Sequence, residues 1–125
     1  MADGVVLTKL SACGLLNLRL PTAAAEKPGL AQVIGLALPE LPCTYASVGD
    51  VVAYWLAPDE WLVAVTAGAK DETERRLRNA LDGAGAVVDV SAGYVRYNLR
   101  GPATAELLMK ASPYDFDRRA FGTGR

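Results

Sequence analysis

Apolar and polar positions alternate with a period of two along Leu15-Leu16-Asn17-Leu18-Arg19-Leu20, placing Leu16, Leu18 and Leu20 on one side and Leu15, Asn17 and Arg19 on the other. That period predicts a half-buried strand ending at Pro21, with residues 23–27 as a connecting loop or loose helical turn. From Pro28 the spacing changes. Leu30, Val33, Ile34 and Ala37 share one helical face, and Pro39 and Pro42 stop the helix. Residues 44–48, 51–56 and 61–66 are three short runs rich in β-branched and aromatic residues. Gly49-Asp50 and Ala57-Pro58-Asp59-Glu60 separate them with turn-forming residues, which predicts a three-stranded antiparallel meander.

Lys70 to Leu81 reads as a helix. Its acids (Asp71, Glu72, Glu74) precede its arginines (Arg75, Arg76, Arg78), the order that the helix dipole favours. Thr73, Leu77, Ala80 and Leu81 form its apolar stripe, and Gly83 closes it. Strands are expected at residues 86–90 and 94–100, the latter alternating Val95, Tyr97 and Leu99 with Arg96, Asn98 and Arg100. A third helix runs from Gly101-Pro102 to about Lys110. The predicted order is β-α-βββ-α-ββ-α, an α+β fold with helices covering one face of a mostly antiparallel sheet. Residues 1–125 read as one domain, with 113–125 an irregular tail.

Composition removes several classes of function. The chain has 125 residues, 13 basic and 14 acidic, so it offers no field for a nucleic-acid backbone. It has no histidine, the commonest metal ligand and general base, which excludes Ser-His-Asp and Cys-His catalysis. Of the 51% hydrophobic residues, 21 are alanine, leaving a modest supply of large core side chains. The first residues lack the basic and apolar regions of a signal peptide, and the longest apolar stretch (28–39) is too short and broken to span a bilayer. The expectation is a soluble cytoplasmic domain.

Candidate chemistry is sparse. Cys13 and Cys43 lack an activating base and read as packing or incidental residues. Asp89 and Ser91 follow a strand, where such residues bind a ligand or, more commonly, satisfy turn amides. Asp59 and Glu60 are expected to face water. Arg75, Arg76 and Arg78, with Arg118, Arg119 and Arg125 as additions, form an anion patch or a self-compensating helix face, and the neighbouring acids favour the second. Gly122-Thr123-Gly124-Arg125 lacks the spacing and lysine of a phosphate loop. Trp55 and Trp61 flank the Pro58 turn, to pack across a hairpin, stack on a flat ligand or anchor an interface.

Several strings carry a resemblance across nearly the whole chain. They are Gly14-Leu15-Leu16-Asn17-Leu18-Arg19, Gly49-Asp50 with Trp55-Leu56-Ala57-Pro58-Asp59-Glu60-Trp61-Leu62-Val63, and Val88-Asp89-Val90-Ser91-Ala92-Gly93. Leu99-Arg100-Gly101-Pro102, Ala105-Glu106-Leu107-Leu108, Pro113-Tyr114-Asp115-Phe116-Asp117 and Ala120-Phe121-Gly122-Thr123-Gly124-Arg125 complete the set. In this order they resemble the gamma subunit family of heterotetrameric sarcosine oxidase. The W-L-x-P-D-E-W-L segment is the most specific; the D-V-S and G-P-A pieces recur in the wider folate-binding aminomethyltransferase superfamily.

The resemblance implies part of an aminomethyltransferase-like fold and a non-catalytic packing and assembly role. The partners it implies are larger flavin-binding subunits of a complex that oxidatively demethylates sarcosine or a related amine, passing the one-carbon unit to tetrahydrofolate. FAD, FMN, NAD and tetrahydrofolate are implied on those larger subunits and zinc on a small fourth subunit, with no cofactor, metal or catalytic residue on this chain. Trp55, Trp61, Tyr114 and Phe116 are the candidate interface residues. Family members usually continue past the G-x-G-R segment, so a shortened relative, or one completed by another chain, is expected. The alternatives are a small folate-like ligand-binding or aminomethyl-transfer domain, with Asp89, Ser91, Arg96 and the tryptophans lining a pocket, and a standalone adaptor or remnant.

Overall fold

The computed structural model describes residues 4–21, 28–114 and 116. Its contacts divide the chain into two compact units, Ala12–Tyr94 and a second made of Met1–Ser11 with Val95–Arg125. Among the described residues the strands and α-helices are, in order, β1 (Val6–Lys9), β2 (Cys13–Arg19), α1 (Pro28–Ile34), β3 (Tyr45–Val48), β4 (Val51–Ala57), β5 (Glu60–Thr66), α2 (Lys70–Leu81), β6 (Ala86–Asp89), β7 (Tyr97–Arg100) and α3 (Thr104–Ala111). The α+β class and the antiparallel pairing are as expected, but the strands form two sheets rather than one.

In the larger unit the order is β3-β4-β5-β2-β6, with every neighbour antiparallel. The expected meander is β3-β4-β5, and β2 inserts between β5 and β6 through a seven-residue ladder from Cys13↔Thr66 to Arg19↔Glu60. Because side chains alternate, the ladder sets Leu16 beside Val63 and Leu18 beside Trp61, so their apolar sides share one face. Leu30 and Ile34 of α1 and Leu77 and Leu81 of α2 close over that face, completing a core with Leu20, Ala53, Val65 and Val87. Trp55 packs at its margin.

The turns explain the element ends. Gly49 takes φ +57° as the first residue of the Val48–Val51 hairpin loop, a conformation that favours glycine. α1 stops three residues short of the expected Ala37 face. Gly35, at φ +85°, donates its amide to the Ala31 carbonyl at 2.8 Å and turns the chain out of the helix. Asp82 itself adopts the left-handed conformation that ends α2, one residue before the glycine expected to close it. In the β4–β5 hairpin, Trp55 pairs with Trp61 and Ala57 with Glu60, so Leu56 is the extra residue of a β-bulge. The backbone carbonyl of Asp59 in that turn accepts the Leu20 amide at 2.8 Å, tying the hairpin tip to the end of β2.

In the smaller unit β1 and β7 form a two-stranded antiparallel ribbon, registered from Val6↔Arg100 to Lys9↔Tyr97 and continued by the Leu10 amide on the Arg96 carbonyl. β1 was absent from the expected order. Its four residues are all exposed, so no buried side imposes the alternation by which a strand is read. β7 is shorter than the expected 94–100, because pairing with β1 begins only at Tyr97. α3 starts at Thr104, and the Ala103 amide bonds to the Gly4 carbonyl at 2.9 Å.

Candidate functional site

The densest polar arrangement lies where β6 leaves the larger unit's sheet. Asp89 is the last residue of β6, and its Oδ1 accepts both the Ser91 amide at 3.0 Å and the Ser91 hydroxyl at 2.6 Å. Its Oδ2 accepts from Lys70 Nζ at 2.9 Å. The Ser91 Oγ in turn accepts the Leu15 amide at 2.9 Å. The Val90 amide adds a bond to the Leu15 carbonyl at 2.9 Å. One carboxylate and one hydroxyl thus fasten the end of β6, the start of α2 and the middle of β2.

Glycine makes this reach possible. Gly14 pairs with Val65, and a β-carbon on it would stand 2.7 Å from Lys70 Cβ and 2.9 Å from both Lys70 Cγ and Val65 Cγ2. The aliphatic stem of Lys70 occupies the space a side chain at position 14 would fill.

The Ser91 hydroxyl, the Ser91 amide and then the Lys70 ammonium hold the Asp89 carboxyl at about 2, below its ordinary 3.8. Asp89, acting first as hydrogen-bond acceptor and then as counter-charge, raises Lys70 from its ordinary 10.5. A carboxyl lowered by folding contributes stability above its unfolded pKa, and that contribution is lost as pH falls toward the folded value. Stability should therefore decline from about pH 4 to about pH 2 with a component that Asp89→Asn lacks, the variant being less stable at pH 7 and flatter across that window. Urea midpoints at pH 7, 4, 3 and 2 measure this. Equal acid slopes in both proteins would show that Asp89 does not act as the latch.

All these groups are bonded to one another, so the cluster's chemistry is that of a clasp. The turn reading of Asp89 and Ser91 holds, with Lys70 a partner the sequence reading missed. Its signal was faint: lysine at a helix start mildly opposes the dipole, a cost that a neighbouring anion offsets. Arg96, the third polar residue of the pocket reading, belongs to the smaller unit, where its guanidinium donates to the Ser11 carbonyl at 3.4 Å.

A second cluster sits on the other face of the larger sheet. Glu60 accepts Asn17 Nδ2 at 2.7 Å and Arg19 Nη2 at 3.2 Å. Those bonds, Asn17 first, lower its pKa. The expectation that Glu60 simply faces water is corrected by the strand register, which sets Glu60 directly opposite Arg19. On α2, Arg75 pairs with Glu72 at 2.7 Å and Arg78 with Glu74 at 2.8 Å, so these arginines are compensated by their own helix. Arg78 also donates to the Val87 carbonyl at 3.0 Å. Arg118, Arg119, Arg125 and the Gly122–Arg125 stretch lie outside the described residues.

The four candidate interface residues divide. Trp61 is 2% exposed, sits in the core and donates its indole N–H to the Pro39 carbonyl at 2.8 Å. It has no face to offer a partner. Trp55 is half-buried against the same core. Tyr114 is exposed and Phe116 half-buried, and their rings meet at 5.1 Å. Both cysteines are free; Cys13 begins β2, and Cys43 is exposed in the turn after Pro42 at φ +61°. Among the described residues, no three His, Cys, Asp or Glu side chains group to hold a metal, and no helix is long and apolar enough to cross a membrane.

Known proteins resemble this chain along its length. The curated sarcosine oxidase subunit gamma of Arthrobacter sp is 34% identical over 99% of the chain, and that of Corynebacterium sp. (strain P-1) is 34% identical over 97%. The chain spans 61% and 60% of those two proteins, respectively. A chain of the heterotetrameric sarcosine oxidase from Corynebacterium sp. U-96, solved in complex with pyrrole 2-carboxylate, superposes with a TM-score of 0.83 at 31% identity, covering 98% of this chain and 63% of that one. The model of the sarcosine oxidase gamma subunit family matches residues 21–125. A match over that much of the sequence, with relatives at a third identity and the same fold, places the chain in the sarcosine oxidase gamma subunit family.

Proposed function

We propose that the chain is a non-catalytic assembly subunit of a cytoplasmic, sarcosine oxidase-type complex built on an aminomethyltransferase-like scaffold. The chemistry resides on larger partner subunits. These carry FAD, FMN and NAD, and they demethylate sarcosine or a related N-methyl amine and pass the one-carbon unit to tetrahydrofolate. Zinc belongs to another small subunit. The observation that carries this reading is the family relationship over nearly the whole chain. The state of the polar residues agrees with it: Asp89, Ser91 and Lys70 spend their hydrogen bonds on fastening β2, β6 and α2.

The ligand-binding alternative has less support, because its aspartate and serine bond each other and Trp61 is enclosed in the core.

The test is mild affinity purification of the tagged chain from its own host, followed by native mass spectrometry. The expected result is recovery with larger, flavin-coloured subunits and amine-dependent peroxide production by the recovered complex. Recovery of a lone 13.2 kDa chain overturns the assembly reading.

A further inference from the structure

An aspartate followed by glycine can close on itself. The glycine's main-chain nitrogen attacks the side-chain carboxyl carbon, its proton and the carboxyl's hydroxyl leave as water, and a five-membered imide forms. Water then opens the imide at either carbonyl. Opening at the main-chain carbonyl leaves the backbone running through the side-chain carbon, an isoaspartate of unchanged mass, and the balance needs no oxidant or cofactor. Glycine favours the attack because no β-carbon shields its nitrogen. Among the described residues, Asp82 is the aspartate with glycine after it; of the pair Asp3-Gly4, Asp3 lies outside them.

The fold leaves both reacting groups of Asp82-Gly83 unclaimed. The two residues are exposed in the turn between α2 and β6. Among the described residues, no hydrogen bond or ion pair holds the Asp82 carboxylate, and no acceptor takes the Gly83 amide. Asp89 is the contrast: both its oxygens are bonded, and the β-branched Val90 follows it.

What restrains Asp82 is its backbone. Its ψ of 48° sets the β-carbon almost anti to the Gly83 nitrogen, so the imide closes only after Asp82 leaves the left-handed conformation. The turn is held by the Asp82 amide on the Arg78 carbonyl at 3.2 Å and the Ala84 amide on the Leu81 carbonyl at 2.9 Å. Aspartate gains little from the left-handed region compared with glycine. Helix ends also open locally at far lower free energy than the whole fold.

The position makes the change consequential. The added main-chain carbon enters a connection of four residues, 82–85. Gly85 has no slack, since a β-carbon there would stand 2.6 Å from the Arg19 carbonyl oxygen. The longer backbone therefore has to be absorbed at the end of α2, where Arg78 donates to the Val87 carbonyl at 3.0 Å.

We propose that Asp82-Gly83 is a covalent modification site, at which the last turn of α2 opens locally, the imide closes and isoaspartate accumulates in the folded chain. This inference rests on neither family membership nor the assembly reading.

The test is incubation of the purified chain at pH 7, in buffer, in urea below the unfolding transition and in urea above it. Trypsin then releases residues 79–96, which carry both Asp82 and Asp89. Isoaspartate at position 82 is read as a second peptide of identical mass and as loss of cleavage before residue 82 by an aspartate-directed endoprotease. That loss is expected to grow with time in buffer while cleavage before Asp89 stays complete, and the aged chain should unfold at a lower urea midpoint. Urea below the transition should leave the rate nearly unchanged, because local opening exposes little surface. Complete cleavage at Asp82 in buffer, with loss only in the unfolded chain, overturns the proposal. So does a rate that climbs with urea in step with the globally unfolded population.

Discussion

Replacing Trp61 with alanine is expected to lower the unfolding free energy by about 3–5 kcal/mol, the range typical of emptying a large aromatic site in a core. Three features place Trp61 at the costly end. It is almost completely buried, it is surrounded by Leu18 across the ladder and by Trp55 across the hairpin, and its indole N–H bonds the Pro39 carbonyl. That bond holds the segment after α1 against the meander, so truncation leaves a cavity and also removes a carbonyl's partner. Domains are typically stable by about 5–15 kcal/mol, so the loss consumes much of the margin. Urea denaturation followed by far-ultraviolet circular dichroism measures it. Trp61→Phe should recover part of the loss by refilling volume, but not the hydrogen bond. A Trp61→Ala midpoint within error of the parent would show that Trp61 does not carry the core.

The same residue shows what a sequence can and cannot disclose. The flanking of the Pro58 turn by two tryptophans was visible, because hairpin geometry is local, and cross-strand packing was one of three readings it left open. Which of them is enclosed was not visible: as a direct cross-strand pair they share one face, and only Trp61 is fully covered, while Trp55 stays half-buried at the core's margin. Leu56, as the bulge residue, shifts the pairing between Trp55 and Ala57. Similar locality made α2 legible from residue 70 to 81, and made the β3-β4-β5 meander legible from its turns. The position of β2 between β5 and β6 was not legible, since that pairing joins residues more than 40 apart in sequence with no local signature. β1 was missed for a different reason: with no buried side, its pattern carries no period. In the candidate site, the Asp89–Ser91 turn could be read from spacing alone. Lys70, 19 residues earlier, could not be assigned to it until the packing of α2 on β2 was known.

Gly14→Ala should destabilise the chain by about 1–2 kcal/mol, although strand positions ordinarily favour alanine over glycine. Two effects compete. Alanine restricts the unfolded chain, which stabilises by about 0.4–1 kcal/mol where the native backbone accepts it. Against this, the new methyl would lie within 3.0 Å of three heavy atoms, two of them in the stem of Lys70 rather than at its mobile end. Overpacking of that kind typically costs about 1–3 kcal/mol and wins the balance. The expected relief is displacement of the first turn of α2 from β2, which withdraws Nζ from Asp89.

That consequence distinguishes a specific clearance from general crowding. If Gly14 serves to let Lys70 cross the strand, Lys70→Ala should cost less in the Gly14→Ala background than in the parent, because the ion pair is already broken. The acid-sensitive component assigned to Asp89 should also shrink in Gly14→Ala, while the Ser91 bonds preserve part of it. A double-mutant cycle by urea denaturation at pH 7, with the single variants repeated at pH 3, measures both effects. Strict additivity of the two substitutions would mean that the crowding falls on Val65 and on the Lys70 Cβ that alanine keeps, and the ion pair would then owe nothing to position 14.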